Sequence, residues 1–390
     1  MTALESRRRT VELSALWETP LRRAMLATAL WRLAVGVWGV VAHGLGGRGP
    51  YAAQTLLHRG WPANPWSKLI DAGVRMDAWW YARIALHGYG YSTRHLSSIV
   101  FFPLYPGLVK AVSLVTGNVY VAGMLLSTGC LFLSVYVLQQ WLNDHGMGDR
   151  SALVMGLLLC FPFGFFWASM YGESLFLLLT VTAFVACERG AWGVSAGAAF
   201  LAVLTRPTGL IIAPCLALLL WRRRAGGSLA GQHSGLRAWS CVLSGPLAYL
   251  LFAGYQWLRF GTPLASIRAE AVPPFSRDLS QALSDLLLRR PGFPSWYLAF
   301  MLGIALVFLA GVPVVYRRFG PAYALFAALA VLFPLASGLT SMERYVLIDF
   351  PVFAAVATIR PRVLVVGLMT LAFYALLAFM TLFIAGYTLI

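Results

Sequence analysis

The sequence predicts an all-α, polytopic membrane protein, and two properties of the whole chain support that fold class. Hydrophobic residues make up 59% of the chain and charged residues only 11%, with a mean hydropathy of +0.74. A soluble domain carries about 25% charged residues. Apolar stretches of roughly 18–25 residues, long enough to cross a bilayer, recur along most of the chain. We therefore expect a bundle of about eleven transmembrane helices, within a range of about ten to thirteen.

The predicted spans are separated by short loops that carry many of the basic residues. The spans lie at 24–45, 119–141, 151–169, 174–188, 191–205, 207–221, 238–258, 294–316, 320–337, 345–358 and 363–387. If the basic N-terminus is cytoplasmic, alternation places the arginine-rich loops in the cytoplasm too, as the positive-inside rule requires. This holds only if the segment 99–116 does not cross the membrane. Because that segment carries Lys110 near its middle and two prolines at its start, we predict that it is re-entrant or interfacial.

We predict a single membrane domain over 1–390, with its polar loops gathered on the outer side. Its parts are a cytoplasmic basic tail, a large outer loop with amphipathic interfacial helices, and the remaining bundle, at 1–23, 46–118 and 119–390. Four other outer segments are 170–174, 205–207, 259–293 and 338–344. The polar residues that are hardest to explain structurally lie in these segments. A site on the extracytoplasmic face of the cell membrane is therefore expected.

The charge and cysteine content argue against two other kinds of protein. The formal net charge is +16, but the basic residues form short clusters between apolar segments, so no nucleic-acid partner is predicted. The five cysteines lie in or beside apolar segments without metal-ligand spacing, which favours buried packing thiols. No cofactor or metal site is predicted, although a divalent ion shared by Asp77 and Glu173 stays an open alternative.

The stretch from Arg75 to Tyr81 places one acid among aromatic residues in the large outer loop. Asp77 is one of only 14 acidic residues in the chain. It precedes an amphipathic helix in which Trp80, Ile84 and His87 recur at helical spacing. Aromatic residues suit the bilayer interface, where an acid is a candidate general base. The alternative is that Asp77 only caps this helix.

Two further outer segments carry ionisable residues at the ends of spans. Tyr171 and Glu173 lie where one span ends and the next begins, so Glu173 is a functional candidate, with a solvated turn as the alternative. Arg206 precedes Pro207, a residue that suits the first turn of a helix. A guanidinium beside a helix N-terminus is a plausible phosphate site, whereas snorkelling to the interface is the structural alternative.

The segment 341–345 adds Glu343, Arg344 and Tyr345 on the same outer face. Arg344 is a second candidate for phosphate binding because a guanidinium binds phosphate oxygens in a bidentate manner. Asp349 follows one turn after Tyr345, inside an apolar segment. A buried Arg344–Asp349 ion pair is therefore the structural alternative for both residues.

Four motifs occur in a characteristic order along the chain. They are MDAWWYARIALHGYGY with FFPLYPGLVK at 76–91 and 101–110, PFGFFWASMYGESLFLLLT at 162–180, LTRPTGL at 204–210 and ERYVLIDFP at 343–351. In this order they resemble the GPI mannosyltransferase II (PIG-V) family of the GT-C superfamily of membrane glycosyltransferases. The resemblance covers about 24 to 360 and departs from the family pattern at Met76, where an aromatic residue is expected.

The resemblance implies a GT-C-like bundle and an inverting glycosyltransferase. Such an enzyme, most simply a mannosyltransferase, moves its sugar from a polyprenyl (dolichyl-type) phosphate donor to a lipid-linked or surface glycan acceptor outside the cytoplasm. In a chain without a soluble domain it looks like a bacterial member, whose acceptor need not be a GPI lipid. In the GT-C superfamily the usual base is an acidic residue early in the first outer loop, and Asp77 is the matching position.

The residues and the resemblance together predict a substrate site in the outer loops. Arg206 and Arg344 would stabilise the leaving lipid phosphate. Tyr171 and Glu173 would orient sugar hydroxyls. Side chains predicted to stack on or otherwise contact substrate are Trp79, Trp80, Tyr81, His87, Glu343 and Tyr345. The segment 99–116 would guide the polyprenyl chain among the membrane lipids.

Two rival functions are compatible with the same fold. A transporter or flippase for a lipid or small anion would use Arg206, Arg344 and Asp349 along a pathway. The halves of the chain show no internal repeat, and the polar residues gather on one face, which both count against it. The other rival is a non-catalytic subunit of a glycosylation complex, which only an activity assay separates from the enzyme.

Overall fold

The computed structural model describes residues 20–46, 49–225, 235–270, 295–336, 338–339 and 341–387. Within these ranges every regular element is helical, which confirms the predicted all-α fold class. Most of the predicted cytoplasmic tail, residues 1–19, and the loop residues 271–293 lie outside the described residues. The α-helices are α1 Pro20–Ala42, α2 Pro65–Ala72, α3 Asp77–His87, α4 Leu104–Thr116, α5 Val119–Asp144, α6 Ser151–Leu159, α7 Glu173–Glu188, α8 Trp192–Thr205, α9 Ile212–Ala225, α10 Gly235–Phe260, α11 Ala265–Glu270, α12 Ser295–Phe319, α13 Pro321–Leu335, α14 Met342–Tyr345, α15 Phe350–Val356 and α16 Arg362–Ile384.

Five helices in the described part of the chain are long and apolar enough to cross a membrane. They are Leu21–Leu45, Val119–Asp144, Arg237–Phe260, Trp296–Phe319 and Arg362–Ile384, with 23 to 26 residues each. At about 1.5 Å per residue such helices exceed the roughly 30 Å hydrocarbon core. The protein is therefore a multi-pass membrane protein, and the total of about eleven spans stays a prediction. Helix α4 has 13 residues, about 20 Å, which agrees with a segment that does not cross alone.

Two of the predicted spans are interrupted. The segment 151–169 consists of the nine-residue helix α6 and a 3-10 turn, Gly164–Ala168. Pro162 lies between them, and proline has no backbone N–H and clashes with the preceding turn of a helix. The segment 345–358 is likewise divided, with a 3-10 turn at Val346–Ile348 and Pro351 at the start of α15. Sequence hydropathy does not detect such breaks because the side chains on both sides of them are apolar.

Helix α7 is the central helix of the bundle. It packs against α5 on one side and α8 on the other, and α8 in turn packs on α10. Its sequence is apolar on every side, and nearly all of its side chains are buried, as expected for a helix enclosed by other helices. Glu173 is its first residue, so the fold places this carboxylate at one end of the core.

Helix α2, which leads to α3, and the turn at Arg206 are set by local sequence signals. Asn64 caps the preceding helix α2 through its side-chain oxygen, which accepts from the backbone N–H of Ser67 at 2.8 Å. In the turn after Arg206, Gly209 lies so close to α8 that a Cβ would be 2.6 Å from the backbone nitrogen of Val203. Only glycine allows this close approach, which fixes the turn that carries Arg206.

Candidate functional site

A cavity of about 180 Å³ lies where the segments that are predicted to be outer loops meet. Its wall includes side chains from α3, from the segment before α4, from the turn after α8, from α11 and from α14. Six of the predicted site residues line it: Asp77, Trp80, Tyr81, Arg206, Arg344 and Tyr345. Residues that are far apart in the sequence therefore meet at one cavity.

Asp77 and Arg344 form an ion pair in the wall of this cavity. The Asp77 Oδ2 atom accepts a hydrogen bond from Arg344 Nη1 at 2.6 Å. The Asp77 side chain is 16% exposed and that of Arg344 6%. Helix α3 begins at Asp77, and no side chain caps it, so the carboxylate binds an arginine and does not act as a helix cap.

Glu173 lies beneath the cavity and joins the two arginines. Its Oε1 atom accepts from Arg344 Nε at 2.8 Å and also from Arg206 Nη2. The Glu173 side chain is completely buried, so it contacts the arginines and is not on the cavity wall. The alternative of a solvated turn is wrong for this residue, because its side chain is buried. Glu173 positions Arg206 and Arg344 instead.

The four charged groups of this cluster balance one another. Asp77 and Glu173 contribute two negative charges, and Arg206 and Arg344 two positive charges. Burial opposes the charge on Arg344, but the carboxylates of Glu173 and Asp77 raise its pKa well above the usual value. Arg344 therefore stays charged. Its Nη2 atom makes no hydrogen bond to the described residues and remains available for a ligand.

Tyr171 is placed below Arg344, not beside the substrate space. Its ring centroid lies 4.8 Å from the Arg344 guanidinium carbon, and that of Phe166 lies 5.3 Å away. Tyr171 is completely buried, and its hydroxyl donates to the backbone carbonyl of Arg75 at 2.9 Å. The predicted role in binding sugar hydroxyls is therefore replaced by a cation–π support of the arginine.

The geometry also bears on Glu343 and on the alternative pairing of Arg344 with Asp349. Glu343 is buried away from the cavity wall, where its Oε2 atom accepts from the Tyr297 hydroxyl at 3.4 Å. Burial raises the pKa of Glu343 to about 8. The proposed pair of Arg344 with Asp349 is wrong, because Arg344 binds Asp77 and Glu173 while both carboxylate oxygens of Asp349 lack hydrogen-bond partners among the described residues.

Trp79 and His87 are not on the wall of the cavity that contains Asp77. Both line a different cleft, and Trp80 lines both spaces. Side chains at i, i+4 and i+8 share a helix face, which is why Trp79 and His87 lie together. The sequence pattern identified this helix correctly but not which of its faces meets Arg206 and Arg344.

A buried network holds the segment that leads into Asp77, and sequence analysis gave it no role. Asp71 accepts from His43 Nε2 at 2.7 Å and from Arg75 Nη2 at 2.6 Å. Burial opposes ionisation of Asp71, but these hydrogen bonds outweigh it and lower its pKa. Met76 follows with φ 47° and ψ −112°, a strained conformation for a residue with a side chain. The sequence signal for this network is the spacing of Asp71 and Arg75, which are four residues apart and so can form an ion pair within one helical turn.

The described residues contain no group of three or more His, Cys, Asp and Glu side chains that would hold a metal ion. Asp77 and Glu173, the pair left open as a shared metal site, are instead bridged by the Arg344 guanidinium.

Comparison with known proteins gives relatives in sequence and in structure. No family model matches the chain. It is 34% identical over 158 residues to GPI alpha-1,6-mannosyltransferase 2 of Mus musculus, which is 37% of this chain and 30% of that protein. For the Rattus norvegicus protein of the same name the identity is 33% over 169 residues, 38% of this chain and 33% of that protein. The chain thus matches about a third of the length of these curated relatives.

Among solved structures, the Archaeoglobus fulgidus oligosaccharyltransferase in its apo form has a TM-score of 0.46 at 14% identity, over 92% of this chain and 57% of that chain. The archaeal oligosaccharyltransferase AglB from the same organism, in complex with an inhibitory peptide and a dolichol-phosphate, has a TM-score of 0.41 at 13% identity, over 91% and 55% of the two chains. In sequence the chain is thus similar to two mammalian GPI alpha-1,6-mannosyltransferases over 37–38% of its length, in agreement with the resemblance that its motifs carry.

Proposed function

We propose that the protein is a membrane glycosyltransferase that moves a sugar, most simply mannose, from a polyprenyl phosphate donor to a lipid-linked or surface acceptor on the extracytoplasmic side. The observation that carries the proposal is the shared cavity of Asp77, Arg206 and Arg344. A carboxylate and two guanidinium groups supply the base and the phosphate contacts that this reaction needs. The names of the curated relatives, which are mannosyltransferases, favour mannose.

In the proposed reaction Asp77 accepts the proton of the acceptor hydroxyl. The hydroxyl oxygen attacks the anomeric carbon, the bond from that carbon to the phosphate oxygen breaks, and the lipid phosphate leaves with the bonding electrons. Attack opposite to the leaving group inverts the anomeric centre. Oδ1 of Asp77 has no hydrogen-bond partner among the described residues, whereas Oδ2 is held by Arg344. Asp77 thus has an oxygen free for the acceptor.

Arg344 and Arg206 stabilise the charge that develops on the phosphate. Each guanidinium uses one side to hold Glu173 and keeps other N–H groups for the donor, since Arg has five donors. When the phosphate binds, it competes with Asp77 for Arg344. Donor binding therefore weakens the Asp77–Arg344 pair and makes the carboxylate a better base at the moment that a substrate is present.

The apolar part of the cavity wall suits the polyprenyl chain. Val100, Phe101 and Phe102 line the cavity directly before helix α4. They belong to the segment 99–116, whose short helix favours an interfacial position. A lipid tail entering beside these side chains would bring its phosphate toward the arginines.

Transfer is tested with the purified protein in detergent, polyprenyl-phospho-mannose and a membrane lipid extract. Mass spectrometry should find a lipid or glycan whose mass is increased by one hexose, and the Asp77→Asn variant should lack this product. If no product forms with any polyprenyl-phosphate sugar, the glycosyltransferase proposal is rejected, and a transporter or a non-catalytic subunit is favoured.

A further inference from the structure

Helix α3 separates the Asp77 cavity from a second, larger cleft. This cleft has a volume of about 710 Å³, within the range of about 300–1,000 Å³ that is typical of small-molecule sites. Its wall includes Arg59, Trp79, Trp80, Arg83, His87 and Tyr120. We call it the Arg59–Arg83 cleft. Trp80 lines both spaces, so a ligand in this cleft lies across one helix from the proposed base.

The charge of the Arg59–Arg83 cleft has one sign. Its wall carries two arginines and a histidine and no acidic side chain. Neither arginine forms an ion pair with a carboxylate in the described part of the chain. In contrast, every charge of the Asp77–Glu173–Arg206–Arg344 cluster is balanced by an opposite one. Unpaired cations that converge on one concave surface favour an anionic ligand.

The arginines are held in place by aromatic rings, not by acids. The Arg59 guanidinium carbon lies 4.3 Å from the centroid of the Trp79 ring, and that of Arg83 lies 5.6 Å from Trp80. These cation–π contacts attract the guanidinium groups to the rings without neutralising their charge. Tyr120 meets the Trp79 ring edge-on at 5.5 Å. The cleft therefore offers exposed guanidinium N–H donors next to aromatic rings, which suits a phosphate group.

The rim of the cleft favours a lipid over a soluble ligand. Leu86 lines the cleft and is 56% exposed, between Arg83 and His87 in the sequence. An exposed apolar side chain flanked by basic ones is typical of a surface at the level of lipid headgroups. In water the exposed Leu86 side chain would have an unfavourable hydration free energy, which contact with a lipid removes.

We propose that the Arg59–Arg83 cleft binds the phosphate-bearing headgroup of a lipid. Resting on the proposed function, that lipid is the acceptor, which reaches Asp77 past Trp80, the side chain that lines both spaces. Helix α3 then lies between the two substrates. The donor phosphate binds at the Asp77–Glu173–Arg206–Arg344 cluster, and the acceptor headgroup binds in the Arg59–Arg83 cleft.

The binding step is measured without turnover, on the purified full chain in detergent, by isothermal titration calorimetry. The probes are dioctanoyl phosphatidylglycerol, dioctanoylglycerol as the lipid without phosphate, and glycerol 3-phosphate as the phosphate without lipid. The phosphatidylglycerol should bind more tightly than either control. In the Arg59→Gln/Arg83→Gln variant its Kd should rise about tenfold or more, since charge-assisted hydrogen bonds are lost.

The matched control is Arg94→Gln, which removes a charge from an exposed arginine in the same outer loop that lines neither cavity. It should leave the Kd unchanged, and the melting temperatures of both variants should match the wild type. Equal Kd values in the double variant and the control would overturn the proposal. Equal affinity for glycerol 3-phosphate and the phospholipid would overturn its lipid part.

The role of the lipid is tested separately by sugar transfer. The double variant should raise the acceptor KM while the donor KM stays constant. If transfer proceeds with an unchanged acceptor KM, the cleft is not the acceptor site, and the glycosyltransferase stands. If the lipid binds through Arg59 and Arg83 but no sugar is ever transferred, the cleft stands and the proposed function fails.

Discussion

Glu173 provides the sharpest test of how the arginines are held. It is completely buried, and one of its oxygens accepts hydrogen bonds from both Arg206 and Arg344. Glu173→Gln keeps the shape and the acceptor oxygen but removes the negative charge between two cations. Removing one partner of a buried ion pair costs about 3–5 kcal/mol of unfolding free energy. Because Asp77 still pairs with Arg344, we expect the lower end, about 3 kcal/mol.

The assay is thermal unfolding of the purified protein in detergent, followed by intrinsic tryptophan fluorescence. The matched control is Glu188→Gln at the other end of the same helix, where the carboxylate is 20% exposed and 3.5 Å from His145. A partly exposed pair of this kind contributes up to about 1 kcal/mol. The Tm should fall by several degrees for Glu173→Gln and little for the control, and the donor KM should rise only in the former. Equal Tm values would refute the reasoning.

Three further changes test the backbone and the burial around the site. At Met76, whose φ is 47°, the glycine variant should be more stable to chemical denaturation than the alanine variant by about 1 kcal/mol or more, the reverse of the usual order. Gly209→Ala should lower the Tm and raise the donor KM because the new Cβ meets the backbone nitrogen of Val203, whereas Gly197→Ala, with nothing within 4 Å, should not. Burial raises the pKa of Glu343 to about 8 from 4.5, so the folded state prefers the protonated acid, and its contribution to stability is lost as pH rises from about 4.5 through 8. The Tm of the wild type should equal that of Glu343→Gln near pH 5 and fall below it near pH 9; a constant difference would contradict the buried neutral acid.

Much of the site was predictable because its chemistry is carried by rare residue types. Acids are scarce in this chain, and charged groups at the ends of apolar segments are costly unless they are used or paired. That argument identified Asp77, Arg206 and Arg344 as residues of one outer face, and the structure places all three on one cavity wall. The topological side on which this cavity opens stays a prediction.

Depth within the site could not be read from the sequence. Whether Glu173 or Tyr171 lines the cavity or lies beneath it depends on how the helices pack. A rotation of a helix by about 100°, the angle between successive residues, changes which side chain faces the cavity. Asp349 shows the same limit, since it lies five residues from Arg344 but does not pair with it. The Arg59–Arg83 cleft was missed because Arg59 precedes α3 in the chain, and only folding brings it over Trp79.

The fold class followed from composition alone, but helix continuity did not. Hydropathy describes how apolar a segment is and not whether its backbone stays regular. Pro162 and Pro351 interrupt two segments that are predominantly apolar. The breaks have a consequence for the site, because the second one ends the segment that carries Arg344 and leaves that residue in a single helical turn, α14, beside the cavity.

The rate of sugar transfer by Asp77→Asn tests the central claim most directly. Asparagine keeps the size of the side chain and a hydrogen-bond acceptor for Arg344 but does not accept a proton. Measured with saturating polyprenyl-phospho-mannose and the acceptor identified from the lipid extract, kcat should fall by about 10²–10⁴. The donor should bind at least as tightly, because no carboxylate then competes with its phosphate for Arg344, and the Tm should fall less than in Glu173→Gln, because Asp77 is the more exposed partner. Transfer at close to the wild-type rate would show that Asp77 is not the base.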